Sequence, residues 1–231
     1  FPYATSFYGH VPAALAIFLA LRVLEHASPS TRQLLGQGAF LGIAIGCEYL
    51  AAVPGVVIAG FSLVRARRDA GRVALTLALG GALPIFVIGL YHTACFGAPW
   101  RTGYAFLVHP TFVAGHARGL LGFELPRPEA LFGLLFGERR GLLRHWPVTA
   151  IALVGLSDFV RRHRGDHAVV AGAVALVAMF VANAGYYMWW GGAASGPRHL
   201  VPVMPLLAVG IAQAISVRAF RPVLVIVTAC S

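Results

Sequence analysis

Residues 73–100 read VALTLALGGALPIFVIGLYHTACFGAPW, 28 consecutive positions without an Asp, Glu, Lys or Arg. A helix crosses the hydrocarbon of a bilayer with about 20 mostly apolar residues, and this stretch exceeds that. Four other charge-free runs accompany it, at 1–21, 145–157, 167–197 and 199–217. The composition of the whole chain agrees. Of 231 residues, 58% are hydrophobic and 11% charged, with mean hydropathy +0.77. A soluble globular chain is about 25% charged, so neither an ordinary soluble domain nor a disordered chain fits. Glycine, at 27 residues, is also frequent in membrane helices. The class that fits is an all-α, polytopic transmembrane helical bundle forming a single integral-membrane domain over 1–231.

The charge needs the same context. All 18 basic residues are Arg, against 8 acidic ones, for a net charge of +10. In a soluble protein that balance points to nucleic acid. Here the arginines fall in short clusters between apolar runs, the pattern of a membrane surface, so membrane lipids are expected as partners and nucleic acid is not. Cys47, Cys95 and Cys230 are odd in number and far apart, which predicts packed or interfacial thiols, neither a disulfide framework nor a zinc ribbon. The chain begins at Phe1 with no signal-peptide pattern and ends nine residues into a new apolar run, 222–230. It is expected to be an internal fragment, truncated at both ends.

Candidate crossings are 7–24, 73–92, 145–159, 168–189 and 200–217. Segment 33–64 is long for one crossing and short for two. If it crosses once, the arginines divide nine to nine. If it enters and returns, eleven lie on one side and seven on the other, six of those seven in one long loop where the positive-inside rule weakens. The second arrangement is predicted, with 65–72 and 161–164 inside. Segment 33–64 is then a broken helical hairpin turning near residues 48–54. Gly38, Gly42 and Gly46, and again Ala51 and Gly55, stand four apart, a spacing that lets helices approach closely. Such a break is tolerated where it is buried in protein or lines a cavity. The long outer loop, 93–144, is predicted to carry two short interfacial helices at 112–123 and 128–136.

Several residues could carry chemistry. Glu48 is the one acidic residue well inside an apolar segment, where a carboxylate is costly and marks a functional site. The competing reading is a turn residue reaching the aqueous boundary. Arg101 precedes Gly103-Tyr104, and Arg139 and Arg140 lie between Gly137 and Gly141. Guanidinium groups so placed suit phosphate, or else anchor the loop to head groups. The run Tyr186-Tyr187-Met188-Trp189-Trp190-Gly191-Gly192 leads to Gly196-Pro197-Arg198-His199. Flat aromatic faces of Trp189 and Trp190 suit a sugar, and Arg198 a lipid phosphate; the alternative is an ordinary interfacial aromatic belt. His10 reads as a packed or interfacial histidine. His163, Asp166 and His167 read as solvated groups, and His92 with Cys95 offers two metal ligands and no third. No metal site is expected from these residues.

As a set, the segments resemble a known family. They are Phe1-Pro2-Tyr3-Ala4-Thr5, Phe7-Tyr8-Gly9-His10, Gly42 to Glu48-Tyr49 to Pro54, Cys95-Phe96-Gly97-Ala98-Pro99 and Gly103-Tyr104. Further along come Leu125-Pro126-Arg127-Pro128-Glu129-Ala130, Leu134-Leu135-Phe136, Arg140-Gly141-Leu142, Pro147, Tyr187 to Gly192 and Gly196 to Pro202. Together they resemble the bacterial branch of the C-type, multi-pass membrane glycosyltransferases related to dolichyl-phosphate-mannose–protein mannosyltransferases. The resemblance implies a plasma-membrane enzyme that moves a sugar from a polyprenyl-phosphate donor to an acceptor at the outer face, with inversion. It also implies an acidic residue in an outer loop upstream of residue 1, acting either as a base or as the ligand of a divalent ion in the full-length protein. The catalytic residue is therefore not assigned to Glu48 or Glu124. On this reading Arg198, Arg139 and Arg140 stabilise the departing phosphate, and Trp189, Trp190 and Tyr104 hold sugar or prenyl chain. The rival expectations are a lipid flippase or transporter, which calls for a matching second broken hairpin that the sequence lacks, and a non-catalytic membrane scaffold.

Overall fold

The computed structural model describes residues 9–138, 140–192 and 196–217. Among these the chain is helical, with no strand. The long helices are α1 (His10–Arg22), α2 (Thr31–Cys47), α3 (Ala52–Arg65) and α4 (Ala70–Phe96). Three short helices follow, α5 (Pro110–His116), α6 (Pro128–Phe136) and α7 (Leu142–His145), and then α8 (Val148–Arg162), α9 (His167–Gly185) and α10 (Pro205–Ser216). Two stretches, Arg67–Phe96 and His167–Gly185, are long and apolar enough to cross a membrane; Tyr49–Arg65 and Pro205–Ser216 are apolar but shorter.

Local chemistry sets the boundaries. Ser30 and Gln33 form a capping box at the start of α2, Ser30 Oγ accepting from the Gln33 amide at 3.3 Å and Gln33 Oε1 from the Ser30 amide at 2.8 Å, which satisfies two amides that the first turn leaves open. Asp166 does the same for α9, its Oδ1 accepting from the amides of Ala168 and Val169. Glycine ends α4, because Gly97 takes a left-handed φ of 82° at no steric cost.

Cross-helix contacts fix the direction of each helix. Buried Gln37 donates from Nε2 to the Ala20 carbonyl at 3.0 Å and accepts from Ser62 Oγ at 3.0 Å. The start of α2 thus meets the ends of α1 and α3. Leu34 packs with Val73 and Leu77 of α4, and against Leu63 and Ala66, while at the other end Gly9 abuts the Cys47 carbonyl. Helices α1 to α4 therefore run alternately, and α2–α3 is an antiparallel hairpin. Gly172, early in α9, faces Leu21 late in α1; Gln213, late in α10, donates to Asp158, late in α8, at 2.8 Å. One end of the bundle thus gathers the arginines of 22–32, 65–72 and 161–164. The opposite end gathers the Glu48 turn, the described residues of the 97–147 loop, and residues 186–192 and 196–204. Between them lies a core around Ile17, Ile58, Leu134, Met179, Leu200 and Val203.

Backbones touch where the helices pack most closely. A Cβ on Gly38 would lie 2.1 Å from the Leu77 carbonyl oxygen, and one on Gly80 2.1 Å from that of Leu35, so α2 and α4 meet through glycine. Helices α8 and α10 do likewise through Gly155 and Gly210. Gly38 and Gly42 serve as their spacing predicts, whereas a Cβ on Gly46 would meet open space.

Three boundaries differ from the sequence reading. Segment 168–189 is helical only to Gly185, and 200–217 begins as a 3₁₀ turn, Arg198–Val203, before α10; Pro202 and Pro205 lack the amide that an α-helix would use. The loop piece 112–123 is helical only to His116, because Gly119, Leu121 and Gly122 all adopt positive φ and close a tight turn. That turn packs onto the bundle: the Glu124 amide donates to Gly185 O at 3.0 Å and the Tyr187 amide to Gly122 O at 2.8 Å. The expected helix at 128–136 is present as α6. Residues 1–8, Arg139, Cys230 and the run 222–230 lie outside the described residues.

Candidate functional site

Glu48 sits where α2 stops. Its backbone is extended, with φ −152° and ψ 109°, so the helix cannot continue; a 3₁₀ turn, Tyr49–Ala51, follows before α3 begins. One carboxylate oxygen, Oε2, lies 2.7 Å from His10 Nδ1 of α1. The other, Oε1, has a 3.4 Å contact from the Leu50 amide. The turn is braced from its far side: Tyr49 Oη is 2.8 Å from His92 Nε2, and His92 Nδ1 is 3.0 Å from the Pro99 carbonyl. A carbonyl only accepts, so Nδ1 carries the proton in that bond and Tyr49 donates to Nε2.

His199 closes the group. It opens the 3₁₀ turn before α10 and is 7% exposed. Its ring stands edge-on to His10 at 6.1 Å and to Tyr186 at 5.4 Å. Neither ring nitrogen has a hydrogen-bond partner among the described residues. Burial pushes its imidazole down to about 4; Glu48 opposes that shift and Arg198 and His10 add to it, so the ring is neutral at ordinary pH. Arg198 lies along Gly191, and its Nε is buried without a hydrogen-bond partner among the described residues. Tyr104 belongs to the same neighbourhood. Desolvation pushes its hydroxyl up, helped by the charge of Glu48 and opposed by Arg198. Its ring lies 6.2 Å from Tyr49 and 4.3 Å from His116.

Beside this group runs a groove of about 480 Å³ lined by Gly133, Gly137, Glu138, Arg140, Trp189, Trp190 and Gly192. Trp189 lies against α6, where a Cβ on Gly133 would fall 2.3 Å from the indole. The two indoles are perpendicular, 5.8 Å apart, and Trp190 is 41% exposed. Arg140 directs its guanidinium at backbone: Nη1 donates to Trp190 O at 2.9 Å and Gly196 O at 3.3 Å, and Nη2 to Gly192 O. It therefore clamps the glycine-rich segment, spending most of its N–H donors on backbone carbonyls.

Of the sequence-derived candidates, Glu48, Tyr104, Arg198 and His199 come together, and Trp189, Trp190 and Arg140 wall the adjacent groove. Arg101 is exposed on the loop, with no side-chain hydrogen bond or ion pair among the described residues; Arg139 lies outside them. His10 is packed, as read from the sequence, but its contact with Glu48 is new, as are the roles of Tyr49, His92 and Tyr186. A histidine and a carboxylate on different apolar helices were visible separately; nothing local joins them. Comparison of the chain with protein-family models, with curated proteins and with solved structures finds no match.

Proposed function

We propose that this chain is a multi-pass protein of the bacterial plasma membrane that binds a polyprenyl-phosphate-linked sugar and serves its transfer to an acceptor at the outer face. The membrane part of this reading is supported by α4. Its most apolar stretch is only 17% buried, whereas the core helix of a soluble protein is mostly buried. Leu75, Leu79, Leu83, Phe86 and Leu90 repeat at helical spacing and are all more than half exposed, forming a continuous apolar stripe suited to lipid. Arginines concentrated at one end of the bundle suit a cytoplasmic surface.

The functional part is carried by one observation. Glu48 held by His10, together with Tyr104, Arg198 and His199, converges at the end of the bundle away from those arginines, beside a groove walled by two tryptophans. Arg198 is suited to the lipid phosphate, whose charge grows as the sugar leaves; a fixed guanidinium stabilises such charge. Trp189 and Trp190 offer flat apolar faces to a sugar ring. Tyr104 and Glu48 offer a hydroxyl and a carboxylate for its hydroxyls.

Binding of polyprenyl phosphate to the chain in lipid nanodiscs tests the reading. A charge-assisted hydrogen bond contributes about 1.5–3 kcal/mol, so Arg198→Ala is expected to weaken binding by about one to two decades. Arg198→Lys should recover part, since an ammonium lacks the planar fork. Full recovery by Lys would make Arg198 a head-group anchor. Unchanged affinity in the Ala variant would remove it from the site.

A further inference from the structure

A buried imidazole usually uses both nitrogens. His199 uses neither among the described residues, although it is 7% exposed. Its ring contacts, edge-on to His10 and Tyr186, are ones a phenyl ring would make equally well. Packing therefore accounts for the shape of the side chain and leaves its two polar atoms unexplained.

We propose that His199 is a specificity-determining residue that recognises a hydroxyl group of the lipid-linked sugar, through one donated and one accepted hydrogen bond. This rests on the reading of the site as one for a sugar-bearing lipid phosphate. A neutral imidazole presents one N–H and one lone pair. A hydroxyl, both donor and acceptor, can serve either nitrogen, and vicinal sugar hydroxyls can serve both. A phosphate only accepts, so it would leave the imidazole lone pair unmatched and facing negative charge. The neighbouring Arg198, with donors only, is the phosphate's match. The two consecutive side chains thus divide the ligand, guanidinium to phosphate and imidazole to sugar. Glu48 lies nearby, with Oε1 engaged among the described residues only by the long contact from Leu50, and can accept from a second hydroxyl. Both His199 nitrogens are covered, so the sugar must displace part of the ring layer that His10 and Tyr186 form against it.

The test compares two probes on the chain in nanodiscs: polyprenyl phosphate and the same lipid carrying a hexose. Wild type should bind the hexosyl lipid more tightly. His199→Phe should weaken the hexosyl lipid about tenfold, leave the bare phosphate within twofold, and unfold at the same or a higher temperature. His199→Gln, which keeps a donor and an acceptor, should recover part of the loss. Equal weakening of both lipids, or of neither, would overturn the hydroxyl assignment while leaving the phosphate site in place. Failure of wild type to bind either lipid would overturn the site reading as well. If the Phe variant does not fold, monodeoxy hexosyl lipids decide: removal of one hydroxyl should cost wild type about tenfold and His199→Gln distinctly less. An equal cost in both would refute the proposal.

Discussion

Glu48 shows how much one residue can disclose. A lone carboxylate in an apolar segment is legible because its desolvation demands a partner, and that partner is His10 at 2.7 Å. His199 shows the limit. Its burial follows from the 3₁₀ turn that packs it between α1 and the Tyr186 segment, which no pattern around Arg198-His199 announces. The burial has a thermodynamic consequence. The folded protein holds His199 down at about 4, while an unfolded histidine titrates near 6.5. As pH falls below about 6.5 the unfolded chain takes up a proton that the folded one refuses. Stability tied to the neutral ring is thus present above that pH and lost as pH falls towards 4. The groups facing His199 are Glu48, which favours its protonation, and Arg198 and His10, which disfavour it, with the Tyr186 ring beside them. Between pH 7.5 and pH 5 this should cost about 2 kcal/mol. Unfolding midpoints in detergent should therefore fall less steeply with acid in His199→Phe than in wild type. Parallel slopes would show that His199 titrates normally in the folded protein.

At the scale of elements, glycine spacing was readable and glycine pairing was not. The four-residue interval of Gly38 and Gly42 announced a close approach, but its partner face on α4, at Gly80 and Gly81, could not be chosen from the sequence. Nor could the contact of Gly155 with Gly210, fifty-five positions apart. A Cβ on Gly210 would fall 1.9 Å from the Ala152 carbonyl oxygen, backbone that cannot yield without separating α8 from α10. Gly210→Val is expected to destabilise by at least about 1–3 kcal/mol, the usual cost of overpacking. Gly46→Ala has open space around its Cβ and should stabilise by about 0.5–1 kcal/mol through helix propensity. Thermal unfolding of both variants in one detergent checks the pair; similar losses for the two would mean that α8 and α10 do not meet through Gly210.

For the whole molecule, the alternating helices and the separation of the arginines of 22–32, 65–72 and 161–164 from the aromatic cluster make a prediction about sidedness. Single cysteines replacing Arg67 and Arg101, in a background free of the native cysteines, should label from opposite faces of oriented membranes, position 67 from the cytoplasmic face. Labelling of both from one face would refute the proposed membrane topology, since Arg67 lies just before α4 and Arg101 just past its end.

The amino-acid sequence by itself determined that the chain is helical and that the 33–64 hairpin breaks at Glu48. Those properties are local: charge-free runs leave the backbone little choice but helix, and Ser30, Glu48, Asp166 and Gly97 stop or start it through their own side chains and dihedral angles. The tertiary structure alone decided which helices pair, that the 97–147 loop docks on the end of α9, and that His10, Glu48 and His199 meet. A helix such as α9, apolar on every side, has no periodic face to point at its neighbour. Its partners are chosen by backbone approach and a few buried polar contacts between residues far apart in the chain, and those exist only once the bundle has formed.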